Sequence, residues 1–270
     1  MAATVQVYIP VYNDITFLPK AVESVLTQSD VAVEIIVSDN ASTDGTYEYA
    51  TEMARNRANV RVYRNKTNIG HLANINMFKS YITAPFYMFL CSDDVLLDST
   101  ALKCAVDVMQ AHPDVMSVYC DMDYIDAKDR LLARRKFRQE GVFDAGEVLK
   151  RSVISNRNLF GIPLLHRSAV ATKVAYPEDQ FYVGDLYHSA RVAESGRVYH
   201  LPRGFIGNRY TGKNLTASLH KQTRSEFLHL ARSFGLRLGF TERLRATFNS
   251  FAVGIAKQGF LGWAKLRSQK

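Results

Sequence analysis

Two carboxylates stand side by side where an apolar run stops: Tyr87-Met88-Phe89-Leu90-Cys91-Ser92-Asp93-Asp94. The run has strand length, and acids at the carboxyl end of a buried strand lie where open α/β sheets bind ligands. Paired acids there are costly unless a cation or a hydrogen-bond donor meets them. Their oxygens are hard ligands suited to Mg²⁺ or Mn²⁺, and such an ion would hold a pyrophosphate. The competing reading is a solvated loop with one acid capping the next helix, Asp98 or Ser99 being a natural N-cap ahead of Ala101. Asp39 ends a second apolar run, Val33-Glu34-Ile35-Ile36-Val37-Ser38. It is either an acceptor for a nucleobase or ribose or a turn acid among turn-forming neighbours. Asp44 reads as a turn or capping residue ahead of Thr46. A further acid, Asp185, follows Gly184 and precedes a helical stretch over 187–194.

The elements around these acids follow from apolar spacing. Val5-Gln6-Val7-Tyr8-Ile9-Pro10-Val11-Tyr12-Asn13 predicts a first strand ending at a proline-bounded loop. Helical spacing then covers 17–28, 47–57 and 72–81, with strands over 33–39 and 60–63 between them. Strand and helix thus alternate through the first hundred residues. That pattern predicts an α/β protein with a doubly wound, mostly parallel, Rossmann-like sheet. Right-handed crossovers would gather the loops at 10–13, 39–45 and 91–94 along one edge. A further strand pair is expected over 115–135, turning at Asp126-Ala127-Lys128-Asp129, and Val198-Tyr199-His200-Leu201-Pro202 closes the core. The sequence has neither a GxGxxG nor a GxxxxGK[ST] phosphate cradle. A phosphate at this edge would therefore be met by a metal on Asp93, by Lys/Arg, or by helix N-termini.

Composition bounds the rest. A chain of 270 residues with 47% hydrophobic and 22% charged residues suits one large α/β domain with an appendage. Cys91, Cys104 and Cys120 are odd in number and widely spaced, which argues against a disulfide framework or a zinc site. No signal peptide and no run of 18 apolar residues is seen, so a cytoplasmic protein without a membrane span is expected. The net charge of +8 sits in the tail. From Arg203 onward thirteen Lys/Arg face two Glu, a net of +11, leaving −3 for the residues before it. The division expected is 1–220 as the α/β domain that carries the gathered acids and 221–270 as a basic amphipathic helical region.

Taken together, Ile9-Pro10-Val11-Tyr12-Asn13, Ile36-Val37-Ser38-Asp39 through Thr46, Asn68-Ile69-Gly70 and Leu90-Cys91-Ser92-Asp93-Asp94 resemble a family 2 glycosyltransferase with the GT-A fold. The resemblance spans about 4–215. It implies an inverting enzyme that adds single sugars, since the Gln-x-x-Arg-Trp pattern of processive synthases is missing and the lone Trp263 lies elsewhere. It places Pro10, Tyr12 and Asn13 over the base of a nucleotide sugar, with Asp39 accepting from that base. It maps the DxD motif onto Cys91-Ser92-Asp93, making Asp93 the Mn²⁺ or Mg²⁺ ligand, with Asp94 assisting and Cys91 replacing the first acid. Asn68 and Ser92 join the donor site, Arg209 and Lys213 would pair with phosphate oxygens, and Asp185 resembles the general base. The implied partners are a nucleotide-diphosphate sugar, UDP or dTDP preferred, and a saccharide or lipid-linked acceptor in surface polysaccharide synthesis.

His188, three residues past Asp185, could tune that acid; His71 and His166 read as structural. In the tail, Leu244, Phe248, Phe251 and Ile255 recur at helical spacing among Arg243, Arg245, Lys257, Lys265 and Arg267. That pattern suits peripheral contact with an anionic membrane face, or packing on the core or on a second copy. A nucleotidyltransferase would show a Gly-rich N-terminal phosphate loop, which residues 9–13 lack. No nucleic-acid partner is expected, because no recognised motif accompanies the basic tail, although a non-catalytic binding relative is the remaining alternative.

Overall fold

The computed structural model describes residues 4–137, 139–177, 184–210 and 223–249. The strands are β1 (Val5–Val11), β2 (Val33–Asp39), β3 (Val60–Arg64), β4 (Phe86–Phe89), β5 (Val95–Leu96), β6 (Val115–Ile125), β7 (Leu131–Arg135), β8 (Gly141–Phe143), β9 (Ile162–Arg167) and β10 (Arg197–Arg209). The helices between them are α1 (Leu18–Leu26), α2 (Thr46–Asn56), α3 (His71–Asn76), α4 (Phe78–Tyr81), α5 (Ala101–Ala111), α6 (Ala145–Ser155), α7 (Ser168–Ala171), α8 (Gly184–Ala193) and α9 (Thr223–Ser233), with helical backbone again over 240–249.

All ten strands form one sheet ordered β3-β2-β1-β4-β9-β6-β10-β5, with β7 added on β6 and β8 on β10. The first four are parallel, β9 runs against β4 and β6, and β10 returns parallel to β6. The α/β class and mostly parallel sheet are therefore as expected. The apolar runs of β1 and β2 are continuous because both faces of a parallel sheet are covered. Val5, Val7, Ile9, Ile35 and Val37 pack in one cluster with Leu18, Val22 and Val25 of α1 and Leu102 and Val106 of α5.

Three expectations need correction. Pro10 lies inside β1, paired with Ser38, rather than in a loop. The β1–β4 ladder stops at Tyr8–Phe89, so on the side that faces β4 the imino nitrogen breaks no ladder bond. The strand that was to close near Pro202 runs on to Arg209, because the register shifts between Leu201 and Gly204 and a bulge accommodates the proline. The helix after the acids starts later than Asp98 or Ser99 would set it: Thr100 is its N-cap, and Asp98 instead accepts from the Thr100 N–H and hydroxyl at 2.8 and 2.6 Å.

Past the sheet, Phe227, Leu230, Ala231 and Leu238 are buried with Val148, Leu149 and Val153 of α6 and Leu186 and Ala190 of α8. The first helix of the basic region is thus part of a core. Among the described residues, no helix is long and apolar enough to cross a membrane.

Candidate active site

The ends of β1, β2 and β4 bring the loops at 12–15, 39–45 and 91–94 to one edge, as parallel strands with crossovers require. Hydrogen bonds lace them together. Asn13 takes a left-handed backbone, φ 51°, which asparagine tolerates. Its N–H donates to Ser42 Oγ at 2.9 Å and its Oδ1 accepts from the Thr43 N–H at 2.8 Å. Tyr12 next to it is exposed.

Asp39, at the tip of β2, is fully buried. One oxygen, Oδ2, accepts from the Ser42 N–H at 3.1 Å and lies 3.4 Å from Arg64 Nε. The other, Oδ1, has no partner among the described residues. A buried carboxylate oxygen without a donor is costly, and Oδ1 retains the capacity to accept a hydrogen bond. Asn68 backs this tip: its Oδ1 accepts from Asn40 Nδ2 and from the Gly70 N–H, both at 2.9 Å. Its carbonyl therefore holds the turn behind Asp39. Gly45 is the N-cap of α2, and Asp44 before it accepts from the Thr46 N–H and hydroxyl and from the Ile15 N–H, which hold its carboxyl below the usual range despite some desolvation.

At the end of β4, one ligand atom each of Cys91, Asp93 and Asp94 lie within 4.8 Å of one another. Asp94 is buried, and desolvation, then the charge of Asp93, pushes its carboxyl up to about 8. Its oxygens accept from the Arg209 N–H at 2.8 Å and from Asn208 Nδ2 at 3.0 Å, so it is held in place. A carboxyl raised by a second acid is one whose ionised form a cation would stabilise. Two carboxylates suit Mg²⁺ or Mn²⁺, whereas the thiol of Cys91 is a softer partner than the acid it replaces. Burial, then Asp94, Asp93 and Asp185, holds that thiol well above its usual range. The donor set fits a divalent cation through Asp93 and Asp94.

Arg209, at the end of β10, is 1% exposed, and its guanidinium turns inward. Nε donates to the Asp93 carbonyl and Nη1 to the Asp126 carbonyl, both at 2.8 Å. Nη1 is also 2.6 Å from Asp129 Oδ1, and the group lies 4.8 Å above the Phe17 ring. Because β10 continues to this residue, its side chain clamps the acidic loop from behind. Lys213 lies outside the described residues.

Asp185 falls in the first turn of α8, not ahead of it. It is exposed to solvent, yet protein surrounds it closely enough that desolvation raises its carboxyl. Its charge helps raise the Cys91 thiol and the Tyr176 hydroxyl, so it lies near the acidic loop. His188, one turn on, is buried. It stacks on Tyr176 at 4.3 Å, meets Phe78 and His166 edge-on, and burial drives its pKa well down. A neutral imidazole offers no charge to tune Asp185. His166 accepts or donates to Ser117 Oγ at 2.7 Å and is pushed down to about 3 by burial, a structural residue.

Asp14 escaped the sequence reading. Its Oδ2 accepts from Ser92 Oγ at 2.7 Å, and its N–H donates to Thr46 Oγ1 at 2.9 Å. It thereby joins all three loops, and Ser92 spends its hydroxyl on it. Partial burial, opposed by the Ser92 bond and reinforced by Asp93, pushes its carboxyl up to about 6. A raised carboxyl favours the folded state at low pH, and that stability is lost as pH rises through 6. Asp14→Asn, which can keep the Ser92 bond, should therefore raise Tm by roughly 2–4 °C near pH 8 in chelator and leave it unchanged near pH 4. A thermal melt at both pH values checks this; an equal shift at both would show that charge is not the cause.

The sequence matches the model of glycosyl transferase family 2 over residues 6–170, and the chain belongs to that family. An uncharacterized protein of Sinorhizobium fredii is 34% identical over 164 residues, 53% of this chain and 18% of that protein. An uncharacterized glycosyltransferase of Haemophilus influenzae is 20% identical over 233 residues, covering 82% of this chain and 70% of that one. Chondroitin synthase of Escherichia coli is 28% identical over 130 residues, 48% of this chain and 18% of the synthase. The chain thus spans about a fifth of the length of two of these relatives. The fold is shared with S. aureus TarS solved with UDP-GlcNAc, at TM-score 0.67 and 17% identity over 91% of this chain and 79% of that one. It is also shared with a Pyrobaculum calidifontis mannosyltransferase solved with GDP-Man and Mn²⁺, at TM-score 0.59 and 15% identity over 100% and 88%.

Proposed function

We propose that this family 2 glycosyltransferase moves one sugar from a nucleotide-diphosphate donor to a saccharide or lipid-linked acceptor, with inversion, in surface polysaccharide synthesis. The observation that carries the reading is the meeting of the strand ends that bear Asp39 and the Asp93–Asp94 pair at one sheet edge, with Asp185 of α8 near enough for its charge to raise the Cys91 thiol. The donor's base would lie at the tips of β1 and β2, beside Tyr12 and Asn13. The unpartnered Asp39 Oδ1 is an acceptor that matches the ring N–H of uracil or thymine, whereas neutral cytosine presents a bare ring nitrogen. The pyrophosphate would lie toward Asp93. A divalent cation held by Asp93 and Asp94 would neutralise charge on the leaving nucleoside diphosphate. Arg209 would keep the acidic loop placed through the Asp93 carbonyl.

Asp185 would take the proton of the acceptor hydroxyl as its oxygen attacks the anomeric carbon. The new C–O bond forms on one face while the bond to the diphosphate oxygen breaks on the other, so the anomeric centre inverts. The carboxylate raised by desolvation is a better base than an ordinary aspartate. The UDP-GlcNAc bound to TarS and the GDP-Man bound to the mannosyltransferase support a nucleotide-sugar donor, and the Mn²⁺ of the latter supports a cation.

A thermal-shift panel of UDP, dTDP, GDP and CDP, each with and without Mn²⁺, tests the donor site. UDP or dTDP at a hundredfold excess over Kd should raise Tm by about 5–10 °C. The shift should need the metal, be weakest for CDP, and be lost in Asp39→Ala. No shift with any nucleotide would sink the reading.

A further inference from the structure

The helical segment over 240–249 is attached by one face and bare on the other. Ala246 is buried, Asn156 Nδ2 donates to its carbonyl at 2.6 Å, and Asn249 Nδ2 donates to the Ile154 carbonyl at 3.0 Å. Glu242, the acid of this turn, pairs with Lys150 of α6 at 2.8 Å. These residues fix the rotation of the helix on the body. At about 100° per residue, Phe240, Leu244 and Phe248 then form a stripe on the opposite face. They are 78%, 55% and 75% exposed. Arg243 and Arg245, both exposed, fall about 100° to either side of the stripe's centre, and exposed Arg237 precedes it. With Glu242 turned to Lys150, the bare face carries apolar side chains with one arginine on either side.

Two exposed phenylalanines and a leucine in register are not the scattered surface apolars of an ordinary monomer. Aromatic and aliphatic groups flanked by arginines match the layering of an anionic bilayer, where rings enter the acyl boundary and guanidinium groups meet headgroup phosphates. We propose that this face docks the protein on an anionic lipid surface. The segment is anchored on α6, which shares a core with α8 and α9; Arg191 Nη2 of α8 donates to the Ser233 carbonyl of α9 at 2.7 Å, and Phe234 packs edge-on against Tyr187 at 5.7 Å. Docking would thus seat the layer whose helix α8 carries Asp185.

The test is co-sedimentation of the full chain with vesicles of phosphatidylcholine alone and of phosphatidylcholine mixed with phosphatidylglycerol. The wild type should bind the mixed vesicles, bind the neutral ones at least tenfold more weakly, and be released by high salt. The triple variant Phe240→Ser, Leu244→Ser, Phe248→Ser should partition at least tenfold more weakly. Arg243→Gln with Arg245→Gln, which leaves the apolar stripe whole, should weaken binding to mixed vesicles by roughly tenfold. An unchanged Tm without ligand in both variants shows that the fold is unharmed, so the outcome is independent of the transfer reading. Absent vesicle binding, or equal binding by the triple variant, overturns the proposal. So does a wild-type dimer that the triple variant makes monomeric, since a second copy would then cover the stripe.

Discussion

Asp185→Asn is expected to lower kcat by about 10²–10⁴-fold with donor affinity little changed. A sugar hydroxyl is a weak nucleophile at neutral pH, and a carboxylate that receives its proton acts only as the bond forms. Its loss should therefore appear in turnover rather than in binding. The pH profile gives an independent signature. Desolvation raises the Asp185 carboxyl above the ordinary carboxylate range. The base works only when ionised, so kcat/KM should rise with pH through that raised value and level off above it. The amide cannot titrate, and its residual rate should lose that limb. Full activity in the variant, or an unchanged limb, would remove Asp185 as the base. Because His188 is buried and neutral, it should not supply the limb in its place.

Asp93→Ala is expected to cost about 10³-fold or more in kcat/KM, since a cation at the leaving group contributes several kcal/mol to the transition state. It should also abolish the metal-dependent part of the nucleotide thermal shift. The two variants thus fail differently: Asp185→Asn should still bind donor with metal, and Asp93→Ala should not. Asp94 would remain, pinned by the Arg209 N–H and Asn208, but a single buried acid holds a divalent ion poorly. Unchanged activity across a metal titration in Asp93→Ala would mean that the acidic pair serves folding alone.

The acids at strand ends were legible because two local signals coincide. Apolar runs of strand length mark β1, β2 and β4, and chain direction then puts Asp39 and Asp93–Asp94 at the same edge. Asp14 was not legible, since an acid after Asn13 looks like any loop residue until Ser92, 78 positions away, is seen to donate to it. The partners of Arg209 were not legible for a related reason: a bulge lets β10 run on past Pro202 and carries the guanidinium inside to Asp129 and the Asp93 carbonyl.

The tail divides along the same line. Its helical pattern and its charge of +11 can be read from residue order alone. Which apolar residues are spent on the core cannot, because Phe227 and Leu230 on one helix and Phe240 and Phe248 on another are equally hydrophobic. The first pair is buried against α6 and α8 and the second faces outward, a choice made by the neighbours each helix meets. Periodicity and strand-end chemistry are local properties of a chain, and they were enough to set the α/β class and the edge where the acids meet. The partner of each polar group, and the face of each helix left bare, depend on contacts between distant segments, and those exist only once the chain has packed.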